Sequence, residues 1–217
     1  MALLHLLFDL DGTLTDSKRG IFNAVNYTLD QMNILQDEKP ADLSPFIGPP
    51  LRDSFRELFN FSEETAEKAT RIYREYYGRQ RLFEYDIIPG IEGAINNLAE
   101  TGVSMYVVTS KAEEYAVRIV ESLPFGNLFK TVTGCEIDGR RSNKHELIMH
   151  TLNKFRLNPS SQIIMIGDRY HDIRGAKAAG ISSAAVLYGY GSLEELIQEE
   201  PTILIEQPIH LLDLARV

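Results

Sequence analysis

The sequence has 217 residues, of which 44% are hydrophobic, a composition that excludes a disordered chain and suffices for one large or two small domains. Its formal net charge of -9 argues against nucleic acid or an anionic membrane as a partner, because both bind basic surfaces. Small anionic substrates remain compatible with this charge. The single cysteine, Cys135, excludes an internal disulfide and fits a reducing compartment.

The chain opens with an apolar stretch, "MALLHLLF", that invites comparison with a signal peptide. The stretch lacks a basic first region and a small-residue cleavage site, and an acidic residue soon interrupts it. No apolar run along the chain approaches the ~20 residues that a membrane-spanning helix needs. We therefore expect a cytoplasmic protein.

Short apolar runs typical of strands alternate with longer helical patterns along much of the chain. The strand-like runs are residues 3–8, 103–108, 163–166, 183–187 and 203–205. The helical patterns that accompany the later runs are residues 90–102, 111–123, 143–157 and 172–180. Strands that are apolar on both faces and separated by helices are typical of a parallel sheet covered on both sides. The pattern predicts an α/β fold with a Rossmann-like, doubly wound parallel sheet.

The segment that follows the first strand has a different character, because it contains helical patterns and no strand-like run. These patterns are residues 20–32, 51–59 and 62–80. A proline-rich stretch separates the first two, and proline does not fit inside a helix. We therefore expect a small all-helical domain, residues 15–85, inserted into a core domain of residues 1–14 and 86–217.

Two acids end the first strand, in the stretch "FDLDGTLTDS". Asp9 and Asp11 share one face of an extended chain, where two carboxylates at ~4 Å and an effective dielectric constant of ~20 repel by about 4 kcal/mol. A nearby cation would relieve this repulsion. Gly12 permits a tight turn and a close backbone approach. An ordinary acidic turn also fits these letters, since Asp-Gly is common in turns.

Polar residues end two further strands. The run "IIMI" ends in Gly167 and Asp168, and Asp172 comes one helical turn later. Thr109 and Ser110 follow "MYVV" where a helix is expected to begin, and a helix N-terminus offers free N–H groups to an oxyanion. The carboxyl ends of parallel strands meet at one edge of a sheet. Carboxylates and hydroxyls gathered there predict a site for a hard divalent cation, Mg²⁺ by preference, that holds a phosphate.

These motifs together resemble those of the haloacid dehalogenase-like hydrolases. "FDLDGTLTDS" resembles the DxDGT signature of that family, and "MIGDRYHD" resembles its fourth motif. Thr109 is similar to the second motif, and Lys144 stands where the third-motif lysine is expected. The resemblance covers the whole chain, and the helical insertion matches a cap domain placed after the first motif.

The resemblance implies a role for each motif residue. Asp9 would be the nucleophile that forms an aspartyl-phosphate, and Asp11 would act as acid and base while its backbone carbonyl binds the metal. Asp168 would complete the Mg²⁺ site, with Asp172 acting through water. Thr109 and Lys144 would hold the phosphoryl oxygens. Further phosphate or substrate contacts are expected from Gly12, Ser110 and Arg52.

The resemblance also favours one activity of the family over others. Dehalogenases lack the second acid, whereas Asp11 is present here. Sugar-phosphate mutases carry a histidine at the position of Ile21 and an arginine near Leu51, so this sequence departs from them twice. "FIGPPLRDSF" resembles the phosphoglycolate phosphatase-like group, which favours a phosphatase of a small phosphorylated metabolite. A mutase and a non-catalytic phosphate-binding regulatory protein stay open as alternatives.

Overall fold

The computed structural model describes residues 4–137 and 140–216. The chain divides into two compact units, which we call the core unit, up to Asp16 and from Ile87 onward, and the helical unit, Ser17–Asp86. The assignment of a catalytic core domain and a cap domain, with boundaries at 14/15 and 85/86, stays a prediction. Among the described residues, no helix combines the length and the apolar content needed to cross a membrane.

A parallel sheet forms the centre of the core unit. The described strands are β1 (His5–Phe8), β2 (Thr15–Asp16), β3 (Asp86–Ile87), β4 (Ser104–Ala112), β5 (Phe129–Cys135), β6 (Ile163–Gly167), β7 (Ser182–Val186) and β8 (Ile203–Ile205). Six of them form one sheet in the order β5-β4-β1-β6-β7-β8, and every pairing in it is parallel. The predicted α/β fold with a parallel sheet is confirmed. The short strands β2 and β3 pair separately.

Helices occupy both units. They are α1 (Lys18–Gln31), α2 (Leu51–Phe59), α3 (Glu63–Tyr76), α4 (Ile91–Glu100), α5 (Glu113–Ser122), α6 (Lys144–Phe155), α7 (Tyr170–Ala179) and α8 (Leu193–Gln198). The first three belong to the helical unit, where the Ser62 side chain accepts a hydrogen bond from Thr65 N and caps α3. In the core unit, Leu147 and Leu152 of α6 pack with Leu7 of β1 in one buried cluster. Burial of such apolar side chains holds the helices on the sheet.

Two differences from the sequence prediction concern the neighbouring strands β4 and β5. Strand β4 was expected to end at residue 108 and a helix to begin at 111, but β4 continues to Ala112 and α5 begins at Glu113. The register between β4 and β5 shifts after Val108, so that Ala112 lies opposite Cys135. The strand β5 itself was not predicted, because "FKTVTGC" mixes polar and apolar residues, as an edge strand does. The expectation that Thr109 and Ser110 lie at a helix N-terminus is therefore wrong.

The register of β1 places its carboxyl end between β4 and β6. Phe8 of β1 lies opposite Val107 of β4 on one side and Ile166 of β6 on the other. The residues that come next, among them Asp9 and Asp168, therefore leave the sheet at the same edge. This is the edge where open α/β sheets bind their ligands.

Candidate active site

Asp9 leaves the end of β1 in a fixed position. Its backbone N–H donates to the carbonyl oxygen of Ile166 at 2.9 Å, which keeps it beside β6. Its carboxylate oxygen Oδ1 accepts a hydrogen bond from the N–H of Leu10 at 2.8 Å and lies 3.0 Å from Nζ of Lys144. Among the described residues both contacts fall on Oδ1, so the second oxygen of this buried carboxylate is left for a metal or a substrate.

Lys144 is the first residue of α6 and is 5% exposed. Its Nζ lies 2.8 Å from Oδ1 of Asp172 and 3.0 Å from Oδ1 of Asp9, and it donates to the carbonyl oxygen of Val108 at 3.2 Å. Burial by itself lowers the pKa of an ammonium, but Asp172 and Asp9 outweigh it and raise the pKa of Lys144 above its usual value. Lys144 is therefore a buried cation, although the positive end of a helix dipole disfavours one.

Two glycines make room for this arrangement. A Cβ on Gly175 of α7 would lie 2.8 Å from Cγ of Lys144, so α7 can approach the start of α6 only because the residue there is glycine. A Cβ on Gly167, at the end of β6, would lie 2.1 Å from Cγ of Asp172. Because the glycines allow this close packing, the Lys144 side chain and the Asp172 carboxylate lie buried in the interior.

Asp168 follows β6 and is fully buried. Its Oδ1 accepts a hydrogen bond from Oγ1 of Thr13 at 3.2 Å, and its Oδ2 accepts one from the N–H of Tyr190 at 2.8 Å. Gly12, with a φ of +82°, passes so close that a Cβ there would lie 2.2 Å from Oδ2. Gly12 thus combines the predicted turn with the close backbone approach, and both exclude a larger residue.

The carboxylates of Asp9, Asp168 and Asp172 form a cluster, with one oxygen of each within 4.8 Å of the others. Burial raises the pKa of Asp172 to about 6, although Lys144 opposes the shift. Burial, Asp172 and Asp9 together raise the pKa of Asp168 well above its usual range. Three buried carboxylates face one ammonium, so the cluster lacks positive charge. Oxygen ligands with an excess of negative charge fit a hard divalent cation such as Mg²⁺.

The Asp11 side chain is not part of this cluster. Its Oδ2 lies 2.9 Å from Nζ of Lys111, and both side chains are largely buried. Its Oδ1 is buried and has no hydrogen-bond partner among the described residues. The structure therefore separates the two acids of the first motif, with Asp9 beside Lys144 and Asp11 beside Lys111.

The predicted phosphate-binding residues fall in two groups. Thr109 is buried and directly follows Val108, whose carbonyl accepts from Lys144, and Ser110 is half-buried next to it. Both belong to the end of β4 and lie at the predicted edge of the sheet. Arg52 belongs to the helical unit, where its Nη1 lies 3.0 Å from Oε1 of Glu63 and its side chain is 47% exposed. A substrate contact of Arg52 stays a prediction.

The sequence prediction missed the loop that follows β7. The N–H of Tyr190 binds Asp168, and its hydroxyl donates to Oδ1 of Asp16 at 2.7 Å. A Cβ on Gly189 would lie 2.2 Å from Cβ of Asp168, and one on Gly191 would lie 2.1 Å from the Asp168 carbonyl oxygen. The letters "GYG" after a predicted strand are a usable signal, because they mark a backbone that approaches its neighbours closely at the ligand-binding edge.

Lys111 was also missed as a partner of Asp11. It lies two residues after Thr109, in the part of β4 where the register against β5 shifts, and its N–H donates to Oγ1 of Thr109 at 3.3 Å. That spacing is visible in "TSK", but the predicted helix start at residue 111 hid it. In the structure, β4 continues to Ala112 through a register shift after Val108, and Lys111 lies in this irregular end of the strand.

Comparison with known proteins adds independent findings. A model of haloacid dehalogenase-like hydrolases matches residues 6–186. A 5'-nucleotidase of Pseudomonas aeruginosa is 39% identical over 198 residues, which cover 91% of this chain and 89% of the nucleotidase. The tyrosine-protein kinase PtkA of Mycobacterium tuberculosis is 34% identical over 200 residues, covering 92% of this chain and 67% of the kinase. A solved structure, a predicted phosphatase from Clostridium acetobutylicum, is 35% identical with a TM-score of 0.90, over 99% of this chain and 98% of that one.

Proposed function

The chain belongs to the haloacid dehalogenase-like hydrolase family and is a hydrolase of phosphoric esters, and we propose that it is a Mg²⁺-dependent phosphatase that works through an aspartyl-phosphate. The observation that carries the proposal is the bridge that Lys144 makes between Asp9 and Asp172, at 3.0 and 2.8 Å. A carboxylate reaches a phosphate dianion only when cations offset their repulsion. Lys144 holds such a charge beside the proposed nucleophile.

In the first half of the reaction, Asp9 is the nucleophile. One of its carboxylate oxygens attacks phosphorus, and the bond between phosphorus and the ester oxygen breaks. The leaving oxygen takes a proton from the carboxyl group of Asp11 and departs as an alcohol. Lys144 and Thr109 hold the phosphoryl oxygens during this step, and Gly12 and Ser110 line the same edge of the sheet.

In the second half, the aspartyl-phosphate is hydrolysed. The Asp11 carboxylate takes a proton from a water molecule, and the water oxygen attacks phosphorus. The bond between phosphorus and the Asp9 oxygen breaks, which releases inorganic phosphate and restores the Asp9 carboxylate. Asp11 ends the cycle protonated, ready for the next leaving group.

The metal site is proposed to consist of Asp9, Asp168 and the backbone carbonyl of Asp11, with Asp172 acting through water. The buried carboxylate cluster and the raised pKa of Asp168 support a cation there. When bound, Mg²⁺ would supply positive charge against the charge that develops on the transferred phosphoryl group. Asp172 uses Oδ1 for Lys144 and accepts the N–H of Arg169 on Oδ2, so it also fixes the lysine.

The proposed substrate is a small phosphomonoester, either phosphoglycolate-like or another phosphorylated metabolite. Nucleoside 5'-monophosphates belong among the candidates, because the relative from Pseudomonas aeruginosa is named a 5'-nucleotidase. Arg52 is the proposed substrate contact from the helical unit. A cytoplasmic location and the absence of nucleic-acid and membrane partners stay predictions.

The proposed function is tested by phosphate release from p-nitrophenyl phosphate with Mg²⁺, with EDTA, and with EDTA followed by excess Mg²⁺. We expect turnover that EDTA removes and Mg²⁺ restores, because the carboxylate cluster needs the added charge. A panel of phosphomonoesters, including nucleotides and phosphoglycolate, then identifies the substrate class. Turnover that persists in EDTA would contradict the metal dependence.

The same assays separate the alternatives. Isomerisation of a sugar phosphate without net phosphate release would favour a mutase. Phosphate binding without turnover over the whole panel would favour a regulatory protein. Because one relative is named a tyrosine kinase, incubation with labelled ATP and a tyrosine peptide tests transfer to a phenol.

Mg²⁺ should also raise the melting temperature of the protein. At about ten times its dissociation constant a bound ligand stabilises the fold by about 1.4 kcal/mol, which raises the Tm of a chain of this size by about 3–6 °C. We expect Asp168→Asn to raise the Tm of the metal-free protein, because it removes a buried charge, and to abolish the response to Mg²⁺. Differential scanning calorimetry measures both effects.

The control for this experiment is Glu121→Gln, which neutralises an exposed carboxylate of the same unit. Its Tm should respond to Mg²⁺ as the wild-type Tm does. An Asp168→Asn protein that keeps the full response would mean that the metal binds elsewhere.

A further inference from the structure

Asp11 and Lys111 form an ion pair that the steps above leave unexplained. Nζ of Lys111 lies 2.9 Å from Oδ2 of Asp11, and the two side chains are 8% and 14% exposed. We propose that Lys111 is a positioning residue, which orients the carboxyl group of Asp11 so that one chosen oxygen transfers the proton to the leaving group. The inference rests on the proposed phosphatase function and adds to it a residue that the family motifs did not supply.

Stability alone is a weak reason for such a pair. Removing two charges from water is unfavourable, and replacing a buried ion pair by apolar side chains is often neutral or stabilising. The pair also lies at the ligand-binding edge of the sheet rather than within the apolar core. A buried pair at that place is better explained by what it does to Asp11.

The pair makes the two oxygens of Asp11 different. Oδ2 faces an ammonium, which only donates hydrogen bonds, so a proton on Oδ2 would meet another donor. The proton therefore belongs on Oδ1. Oδ1 is buried and has no hydrogen-bond partner among the described residues, a state that is unfavourable unless a ligand supplies the partner. The leaving oxygen of a bound ester would be such a partner once the groups that cover Oδ1 move aside.

The position of Lys111 on its strand fits this task. Lys111 and Thr109 both lie in the irregular end of β4, where the N–H of Lys111 donates to Oγ1 of Thr109 at 3.3 Å. Thr109 is proposed to hold the phosphoryl oxygens, and Lys111 holds the acid. The end of β4 thus sets the distance between the phosphoryl group and the proton donor, and a small misplacement of such groups slows a reaction strongly.

The test uses two esters whose leaving groups depend differently on protonation. p-Nitrophenolate leaves readily without a proton, whereas the alkoxide from glycerol 2-phosphate needs one. We expect Lys111→Met to lower kcat for glycerol 2-phosphate by roughly 100-fold more than kcat for p-nitrophenyl phosphate, since general acid catalysis contributes about 10²- to 10⁴-fold. Lys111→Arg should restore much of the alkyl ester activity, and KM for both esters should change little.

Three further variants sharpen the result. Asp11→Asn should show the same preference for the aryl ester, and adding Lys111→Met to it should change the ratio of the two rates no further. Lys177→Met, which removes an exposed lysine paired with Glu200, should leave the ratio at its wild-type value. The ratio of the two kcat values is measured on one protein sample. Partial misfolding of a variant lowers both kcat values by the same factor and leaves their ratio unchanged.

Each outcome is decisive. An equal loss of kcat on both esters, or a rise in KM for both, would show that Lys111 binds the phosphoryl group or only supports the fold, and the inference would be wrong. An unchanged ratio in Lys111→Met would also overturn it. Wild-type protein that hydrolyses neither ester would instead refute the proposed function, and the role of Lys111 with it.

Discussion

An Asp9→Asn variant is expected to release phosphate from its substrate at least about 10⁴-fold more slowly than the wild-type protein, because an amide oxygen is a poor nucleophile toward phosphorus. The loss should appear in kcat, with little change in KM, since the other groups that bind the phosphoryl oxygens remain. Steady-state kinetics with p-nitrophenyl phosphate and Mg²⁺ measure both constants. Intact-protein mass spectrometry after rapid acid quenching should find an added phosphoryl group on the wild-type protein and none on the variant.

The amide side chain of this variant keeps an oxygen that can accept from the N–H of Leu10, so the fold should be preserved. Circular dichroism and the Tm check this directly. Asp37→Asn, which neutralises an exposed acid of the helical unit, serves as the matched control and should keep wild-type kinetics. An Asp9→Asn protein with more than a small fraction of wild-type turnover would eliminate the aspartyl-phosphate route.

The sheet could be predicted well from the sequence because its central strands are apolar on both faces. The run at 203–205 coincides with β8, and the run at 163–166 lies inside β6. Strand β5 was not predicted, because an edge strand carries polar residues and its sequence contains no continuous apolar run. The C-terminal end of β4 was predicted wrongly for a related reason, since the register shift after Val108 depends on pairing with β5. Such pairing is a tertiary property, which local sequence does not encode.

The site could be predicted from the sequence where its residues directly follow a strand. Asp9 and Asp168 follow apolar runs, and the register of β1 and β6 brings them together as expected. Lys144 is different, because a lysine that opens a helix usually lies in solvent and only the family resemblance singled it out. Its burial depends on Gly175, which lies 31 positions later and lets α7 close over the lysine stem. The partner of Asp11 likewise depends on how β4 lies beside β1.

The buried charges explain why these residues depend on one another. Several features of the site are locally unfavourable. Lys144 places a cation at a helix N-terminus, Asp168 is a fully buried acid, and Gly167 lets the Asp172 carboxylate approach the end of β6 closely. Local preferences are usually broken where a binding or catalytic site requires it. The positive charge of Lys144 lets the carboxylates lie together, and the carboxylates keep the lysine charged. Removing the lysine should therefore lower both stability and turnover.

Lys144→Met is expected to destabilise the metal-free protein by about 3–5 kcal/mol, because it leaves Asp9 and Asp172 buried without their cation. Methionine conserves most of the side-chain volume, so lost packing contributes little. Turnover should fall by roughly 10³-fold even in excess Mg²⁺, because the charge beside the nucleophile is missing. Urea denaturation and steady-state kinetics measure the two effects.

The destabilisation should depend on pH in a definite direction. The pKa of Asp172 is already raised to about 6 in the presence of Lys144, and losing the lysine raises it further. A carboxyl group whose pKa is higher in the folded than in the unfolded protein lowers the free energy of unfolding at pH values above its unfolded pKa. This loss of stability disappears as the pH falls. The difference from wild type should therefore be larger at pH 8 than at pH 5. Lys177→Met, which removes an exposed lysine, should show no such pH-dependent difference. A Lys144→Met protein without the pH dependence would mean that the buried carboxylates do not rely on Lys144.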